Sequence, residues 1–236
     1  MKTQIDRYKL IRLSLGFICF TIIGILSHEY GHIFVAQKLG YTTKLHYGSM
    51  SWYESDRERT LEIYREYKTE IKSQLDFPKQ EEWESLKSKN LADRLKITLG
   101  GVLQTIVTGT LGLLFLIFRY HKIKEYGLKV IDWLGVFLSL FWLREIFNLL
   151  LGIGGEIVNP DGSFFGGDEA KISSILNLPA GTLSIILGTI GLIVSLFVVF
   201  KIVDKELQTT FILSGLLGGI SGFVLWMMVL GPRILP

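Results

Sequence analysis

The chain has 236 residues, of which 49% are hydrophobic, with a mean hydropathy of +0.39 and a formal net charge of +3. An ordinary soluble domain is excluded, because its apolar share of roughly 45–50% already includes glycine, whereas 25 glycines come in addition here. The lack of a block of like charges argues against a nucleic-acid partner, and a single cysteine excludes an intrachain disulfide.

Five apolar segments are each long enough to cross a bilayer as a helix, which needs about 20 residues. They cover residues of about 10–39, 95–118, 130–151, 179–203 and 209–230. The first follows basic residues as a signal peptide would, but no small-x-small cleavage site comes after it, so we expect a retained span. The chain is therefore expected to be an all-α, multi-pass membrane protein, one polytopic domain over 1–236, in the plasma or inner membrane of a prokaryote.

The longest loop, residues 40–94, is expected to lie outside the bilayer or at its surface. Residues 41–53 are rich in β-forming side chains around Gly48 and predict a short β-hairpin. Apolar positions at helical spacing over 56–75 predict an amphipathic helix that Pro78 ends, and a second helix that continues into the second span. A solvated linker is the alternative interpretation of this loop.

The first span contains the sequence His28-Glu29-Tyr30-Gly31-His32. Histidines four residues apart project from one face of a helix, so both rings can reach one Zn²⁺ at ~2.0–2.1 Å. Glu29 lies about 100° further around the helix and can act as a general base without ligating the metal. Ionisable groups within a span are costly and usually functional. The alternative is a pair of buried histidines with Glu29 as their hydrogen-bond partner.

A catalytic zinc site needs a third protein ligand and an open position. Residues 152–178 are dense in glycine and carry a proline, which predicts irregular backbone. Irregular backbone near membrane depth is tolerated where it is buried in protein or lines a wet cavity. The ligand is therefore sought among the carboxylates of this segment, which are Glu156, Asp161, Asp168 and Glu169.

The His-Glu-x-Gly-His pattern resembles that of the site-2 protease family of intramembrane zinc metalloproteases. Asn148-Leu149-Leu150 is similar to the family's Asn-Leu-x-Pro, although Leu151 stands where proline is expected. Gly100-Gly101-x-x-Gln104 is similar to the family's Gly-Pro-x-x-Asn. The resemblance covers the first three spans and the aspartate segment, and does not extend to the fifth span or to the charged loop.

One branch of the family has Ser-Asp-Ala-x-x-Leu followed by Leu-Pro, and the segment from Gly167-Asp168 to Leu178-Pro179 is similar to it. This resemblance implies that Asp168 is the third zinc ligand. The segment Asn159-Pro160-Asp161-Gly162 is a competing match to the family's Asp-Gly form, so Asp161 stays open as an alternative.

The resemblance implies a zinc-dependent endopeptidase, with Glu29 as general base, that cleaves a membrane-protein substrate within or near its transmembrane segment. One alternative is a membrane-anchored gluzincin-type protease with Glu169 as third ligand, acting on soluble or misfolded segments. Another is a non-catalytic membrane scaffold that keeps the motif. The four histidines of the chain are too few for a membrane di-iron oxygenase.

The third span also contains Arg144-Glu145. This pair is interpreted either as a polar lining or support for the metal ligands, or as an internal ion pair. Basic residues in the short loops favour a cytoplasmic N-terminus, whereas the family resemblance implies that the motif end of the first span faces the cytoplasm.

Overall fold

A computed structural model of the protein describes residues 5–53, 56–158 and 165–236. The helices are α1 (Arg7–Lys38), α2 (Arg57–Glu66), α3 (Lys68–Ser73), α4 (Gln80–Tyr126), α5 (Val130–Ser139), α6 (Leu143–Val158), α7 (Gly167–Ile175), α8 (Thr182–Phe197), α9 (Gln208–Val224) and α10 (Gly231–Ile234). The strands are β1 (Thr42–Leu45) and β2 (Met50–Tyr53). A 3-10 turn over Leu140–Trp142 joins α5 to α6, and π-helical turns extend α8 and join α9 to α10.

Five helical stretches are long and apolar enough to cross a membrane: Arg7–Lys38, Gln80–Tyr126, Val130–Val158, Thr182–Ile202 and Gln208–Ile234. Large apolar side chains on them, such as Leu111, Phe118 and Ile193, are exposed. Exposed apolar side chains on every spanning helix suit a lipid environment, because a soluble protein rarely exposes large apolar patches. The expected all-α membrane fold with five spans and a β-hairpin is confirmed, and the chain is a membrane protein.

Local signals set the limits of the first span. Asp6 caps α1, and its side chain accepts hydrogen bonds from the backbone nitrogens of Tyr8 and Lys9. The helix ends before Gly40, whose φ of +89° suits glycine. Between these limits α1 packs against α4 and α9. Phe17 lies in the resulting core, with its ring centroid 5.2 Å from those of both Phe137 and Phe211.

The loop between the first two spans is folded. The strands β1 and β2 pair antiparallel, with Leu45 opposite Met50. Tyr41, just before β1, is buried and its hydroxyl donates to Asp93 Oδ2 at 2.7 Å. Because Asp93 belongs to α4, this bond holds the hairpin against the start of the second span.

The predicted single helix over 56–75 is wrong in one respect, because Tyr67 divides it into α2 and α3. Ion pairs, in addition to the expected apolar stripe, join α2 to the beginning of α4. Arg59 donates to both oxygens of Glu82 at 2.6 and 2.8 Å. The hydrogen bond from Lys79 to Glu66, 2.5 Å long, lowers the pKa of the Glu66 carboxyl. The helix predicted to continue into the second span does so, from Gln80 onward.

The expectation of irregular backbone throughout 152–178 is also wrong. Helix α6 continues to Val158, and α7 forms a further helix. The physical reason is packing: a Cβ on Gly152 would lie 2.4 Å from Cδ1 of Phe165, so this glycine makes room for a ring and does not end the helix. Asp161, in the competing Asn-Pro-Asp-Gly segment, lies outside the described residues.

Candidate metal centre

The site begins with a backbone contact between α1 and α4. A Cβ on Gly31 would lie 2.5 Å from the carbonyl oxygen of Gly100, and a Cβ on Gly100 would lie 2.5 Å from that of Gly31. Small residues let membrane helices approach this closely. The approach places His28 and His32, which flank Gly31 on α1, against the main chain of α4.

Contacts with α4 indicate which nitrogen of each buried imidazole carries the proton. His32 Nδ1 lies 2.7 Å from the carbonyl oxygen of Ile97, which can only accept, so Nδ1 carries the proton. A contact of 3.2 Å from the Gly101 nitrogen to the same Nδ1 is longer and does not change this assignment. His28 Nδ1 lies 3.0 Å from Thr105 Oγ1, whose hydroxyl donates to the Gly101 carbonyl, so the oxygen accepts from Nδ1. Each neutral ring therefore keeps its lone pair on Nε2.

The lone pairs meet a carboxylate at the start of α7. Asp168 Oδ2 lies 2.9 Å from His28 Nε2 and 3.1 Å from His32 Nε2, and the two nitrogens are 3.1 Å apart. We call these three atoms the ligand triangle. Ligands of a tetrahedral ion at ~2.0–2.1 Å are about 3.3 Å apart, so the triangle is within a few tenths of an ångström of that spacing. With this assignment the three atoms share no proton among themselves, so their electron pairs repel one another and favour a cation bound to all three.

Glu29 lies beside the triangle. One carboxylate oxygen of Glu29 and one nitrogen each of His28 and His32 all lie within 4.8 Å of one another. This buried group could hold a metal ion. The half-buried glutamate is also close enough to exchange a proton with a water molecule between it and the triangle.

A second polar cluster borders the triangle on the side of α6. Arg144 Nη2 lies 2.8 Å from His28 Nε2 and 3.5 Å from Asp168 Oδ2. Its other terminal nitrogen, Nη1, lies 3.1 Å from Glu169 Oε1 and 3.5 Å from Glu145 Oε1. Glu145 and Glu169 are fully buried.

The structure places the predicted candidates for a third ligand in different surroundings. Asp168 contacts both histidines, whereas the neighbouring Glu169 turns to Arg144 and accepts from Asn148 Nδ2 at 3.2 Å with each oxygen. Glu156 lies near the end of α6. His46 belongs to the hairpin, where its Nδ1 lies 2.9 Å from the carbonyl oxygen of Pro236.

Sequence reasoning missed Thr105 and the carbonyl of Ile97 as partners of the histidines. The spacing carried a signal for both, because Ile97, Gly101 and Thr105 follow one another at four-residue intervals and so share a face of α4. A polar residue and a glycine on one face of an apolar span indicate a helix contact, but they do not indicate which helix is contacted.

A cavity of about 830 Å³ opens beside Asp168. Lys171, which donates to Asp168 Oδ1 at 3.2 Å, lies on its wall, together with Ser174 from the same helix and Arg94 from α4. The two basic side chains give this wall a positive charge. The cavity wall includes Gly167 and Lys171 of α7, but none of the three residues of the ligand triangle.

Comparison of the chain with protein-family models, with curated proteins and with solved structures finds no match. The fold and the site therefore define the class of protein by themselves. It is a membrane protein with five candidate spanning helices and a buried His28-Glu29-His32 group that could bind a metal ion.

Proposed function

We propose that this protein is an intramembrane zinc metalloendopeptidase that hydrolyses a peptide bond within or near the transmembrane segment of a membrane-protein substrate. The observation that carries the proposal is the ligand triangle next to Glu29, formed by the first span against the second span and α7. The likeness of the His-Glu-Tyr-Gly-His segment to the site-2 protease family supports the same activity.

The donor set fits zinc. Two imidazole nitrogens and one carboxylate oxygen form one of the known ligand sets of a catalytic zinc, which keeps a further position open. His28, His32 and Asp168 would hold the ion. When bound, zinc supplies a Lewis acid that polarises a carbonyl group and activates water.

Glu29 acts as general base and then as general acid. It takes a proton from the attacking water while the water oxygen bonds to the scissile carbonyl carbon and the carbonyl electron pair moves to the carbonyl oxygen. The C–N bond then breaks as the carbonyl re-forms, and Glu29 returns the proton to the leaving amine nitrogen. A new carboxyl end and a new amine end result, so one water is consumed per bond.

The substrate must reach this site as an extended chain, because a helix hides its backbone carbonyl groups in its own hydrogen bonds. The cavity beside Asp168 has room for such a chain. The hairpin of β1 and β2 is two-stranded, so each strand has an outer edge to which an extended segment can add. Breaking this edge pairing is expected to reduce cleavage.

The decisive experiment compares wild type with Glu29→Gln in proteoliposomes that contain a set of single-span membrane proteins. We expect cleavage by wild type and a fall of about 10²–10⁴-fold in the variant, the usual contribution of a general base. Glu58→Gln, an exposed position in α2, is the matched control and should cleave normally. Identical cleavage patterns from wild type and Glu29→Gln would instead indicate a non-catalytic membrane scaffold.

A further inference from the structure

Arg144 brings a positive charge to the ligand triangle, and the hydrolysis described above does not use it. Its Nη2 lies 2.8 Å from His28 Nε2 and 3.5 Å from Asp168 Oδ2. We propose that Arg144 is a catalytic residue that donates to the carbonyl oxygen of the scissile bond as this oxygen gains negative charge. This inference rests on the proposed endopeptidase activity and adds a residue to it.

Two buried glutamates contact the other terminal nitrogen of the guanidinium. Arg144 Nη1 lies 3.1 Å from Glu169 Oε1 and 3.5 Å from Glu145 Oε1, and both glutamates are fully buried. Within residues 5–53, 56–158 and 165–236 the Glu145 oxygens accept no hydrogen bond, and Arg144 Nη1 is the cationic group that lies 3.5 Å from one of them. Moving the guanidinium away would leave the buried Glu169 carboxylate without its cation, which is strongly unfavourable. Its position is therefore fixed before a substrate arrives.

Asn148 supports this arrangement. Its side-chain nitrogen donates to both oxygens of Glu169 at 3.2 Å, and Asn148 lies four residues after Arg144 on the same face of α6. Asn148 does not contact the triangle through any hydrogen bond that the described residues show. We therefore assign Asn148, Glu145 and Glu169 as positioning residues that act through Arg144.

The donor of Arg144 is directed into the site. His28 Nδ1 carries the proton, so Nε2 has a single lone pair, which cannot serve a metal ion and an N–H donor together. In the loaded site the Nη2 N–H therefore has no acceptor on His28, while Nη1 keeps Glu169. Its remaining contact would be the long one of 3.5 Å to Asp168 Oδ2, so that N–H would be available to a substrate oxygen beside the ligand triangle.

A fixed cationic donor at this place stabilises the developing oxyanion. When the water oxygen adds to the carbonyl carbon, the carbonyl electron pair moves to the oxygen, and the guanidinium N–H meets it without reorganisation. One such preorganised donor contributes about 10²–10³-fold to kcat in other enzymes. The alternative role for Arg144 is a structural counter-ion for three carboxylates, and the two roles predict different results.

The test uses full-length protein in proteoliposomes and measures zinc per chain, kcat and KM for a single-span substrate, and the affinity of two zinc-site inhibitors. A phosphinic peptide mimics the tetrahedral oxyanion, whereas a planar hydroxamate binds mainly by chelation. For Arg144→Gln we expect unchanged zinc content, a kcat lower by about 10²–10³-fold and little change in KM. Phosphinic peptide affinity should fall at least tenfold and hydroxamate affinity less than threefold.

Arg144→Lys is the control for a folding defect, because it keeps a positive charge beside the buried glutamates. We expect normal zinc content and an intermediate kcat, since an ammonium group cannot contact Glu169 and the substrate oxygen in the fork geometry of a guanidinium. Arg65→Gln, at an exposed position in α2, is the matched control and should change none of these quantities. Asn148→Ala should lower kcat alone, and adding it to Arg144→Gln should produce no further loss.

A counter-ion role would overturn the proposal. In that case both Arg144 variants keep kcat per bound zinc, or they lose zinc and weaken both inhibitors equally. The proposed endopeptidase activity fails in a different way, because then Glu29→Gln and wild type cleave alike. If Glu29→Gln abolishes cleavage while Arg144→Gln keeps kcat, only the proposed role of Arg144 is wrong and the proposed endopeptidase activity stands.

Discussion

Gly101 lies against both imidazoles of the candidate metal centre. A Cβ at this position would lie 2.3 Å from His32 Nε2 and 2.7 Å from His28 Cε1, closer than real side chains approach. Its carbonyl also accepts from Thr105, which in turn orients His28. The geometry of the ligand triangle therefore depends on a residue of α4 that contributes no ligand atom.

Gly101→Ala should consequently weaken zinc binding by about 10–100-fold, the range for losing a group that orients a metal ligand. The added methyl pushes both imidazoles out of line with Asp168. The measurement is a titration of zinc-loaded protein with a competing chelator in detergent. Gly24→Ala, in α1 with nothing within 4 Å of the added Cβ, is the control and should bind zinc as wild type does. Equal affinity in the two variants would contradict this role of Gly101.

At the scale of elements, the hairpin is held by the far end of the chain. Trp226 Nε1 donates to the carbonyl oxygen of Tyr47 at 2.6 Å, and the Tyr47 nitrogen donates to the carbonyl oxygen of Leu235 at 3.0 Å. Trp226 belongs to the π-helical turn between α9 and α10 and is buried. The fifth span therefore fixes the position of the loop that joins β1 to β2.

Trp226→Phe keeps an aromatic, though smaller, ring and removes the donor, which should destabilise the docked hairpin by about 1–3 kcal/mol. We expect faster hydrogen exchange at the amides of β1 and β2, and a higher KM with an unchanged kcat if the hairpin receives substrate. Trp133→Phe, which alters the aromatic core near Phe211, is the comparison and should leave exchange in the hairpin unchanged. Unaltered hairpin exchange in Trp226→Phe would mean that other contacts hold the hairpin.

The elements that the sequence predicted are those with local causes. The five spans follow from apolar runs, the hairpin from β-forming residues, and the face shared by His28 and His32 from helical spacing. The course of α6 and α7 could not be predicted in this way, because Gly152 is helical on account of Phe165, a contact made only in the folded chain. Similarly, the Tyr30 ring is exposed, whereas the adjacent Gly31 packs against Gly100. This difference depends on the position of α4 and could not be predicted from the sequence.

At the scale of the whole molecule, the ligand triangle joins two elements that are distant in the sequence, and residues of a third element orient its histidines. His28 and His32 come from α1, their orienting partners from α4, and Asp168 from α7, whose neighbour Glu169 contacts Arg144 of α6. The same region holds the buried carboxylates of Asp168, Glu145 and Glu169 together with two cations, the guanidinium of Arg144 and the ammonium group of Lys171. A divalent ion would add two positive charges beside the Asp168 carboxylate and between two neutral imidazoles.

Zinc should therefore stabilise the entire bundle, and not only the site. A ligand that binds the folded state alone adds about 2.7 kcal/mol at a free concentration of 100 times Kd, which corresponds to a rise in Tm of about 5–10 °C for a chain of this size. We expect this rise in detergent for wild type and for Glu29→Gln, and its reversal by a chelator. Asp168→Asn should abolish it, because the triangle loses its anionic ligand.

Glu169→Gln is the matched control for that experiment, since it changes the adjacent carboxylate. Glu169 faces Arg144 and Asn148, so the variant should start from a lower Tm but keep the zinc-dependent rise. The opposite pair of results, with the rise lost in Glu169→Gln and kept in Asp168→Asn, would make Glu169 the third ligand and favour the gluzincin-type alternative. If both variants keep the rise in Tm, another carboxylate is the third ligand, and Asp161 would be the next residue to substitute.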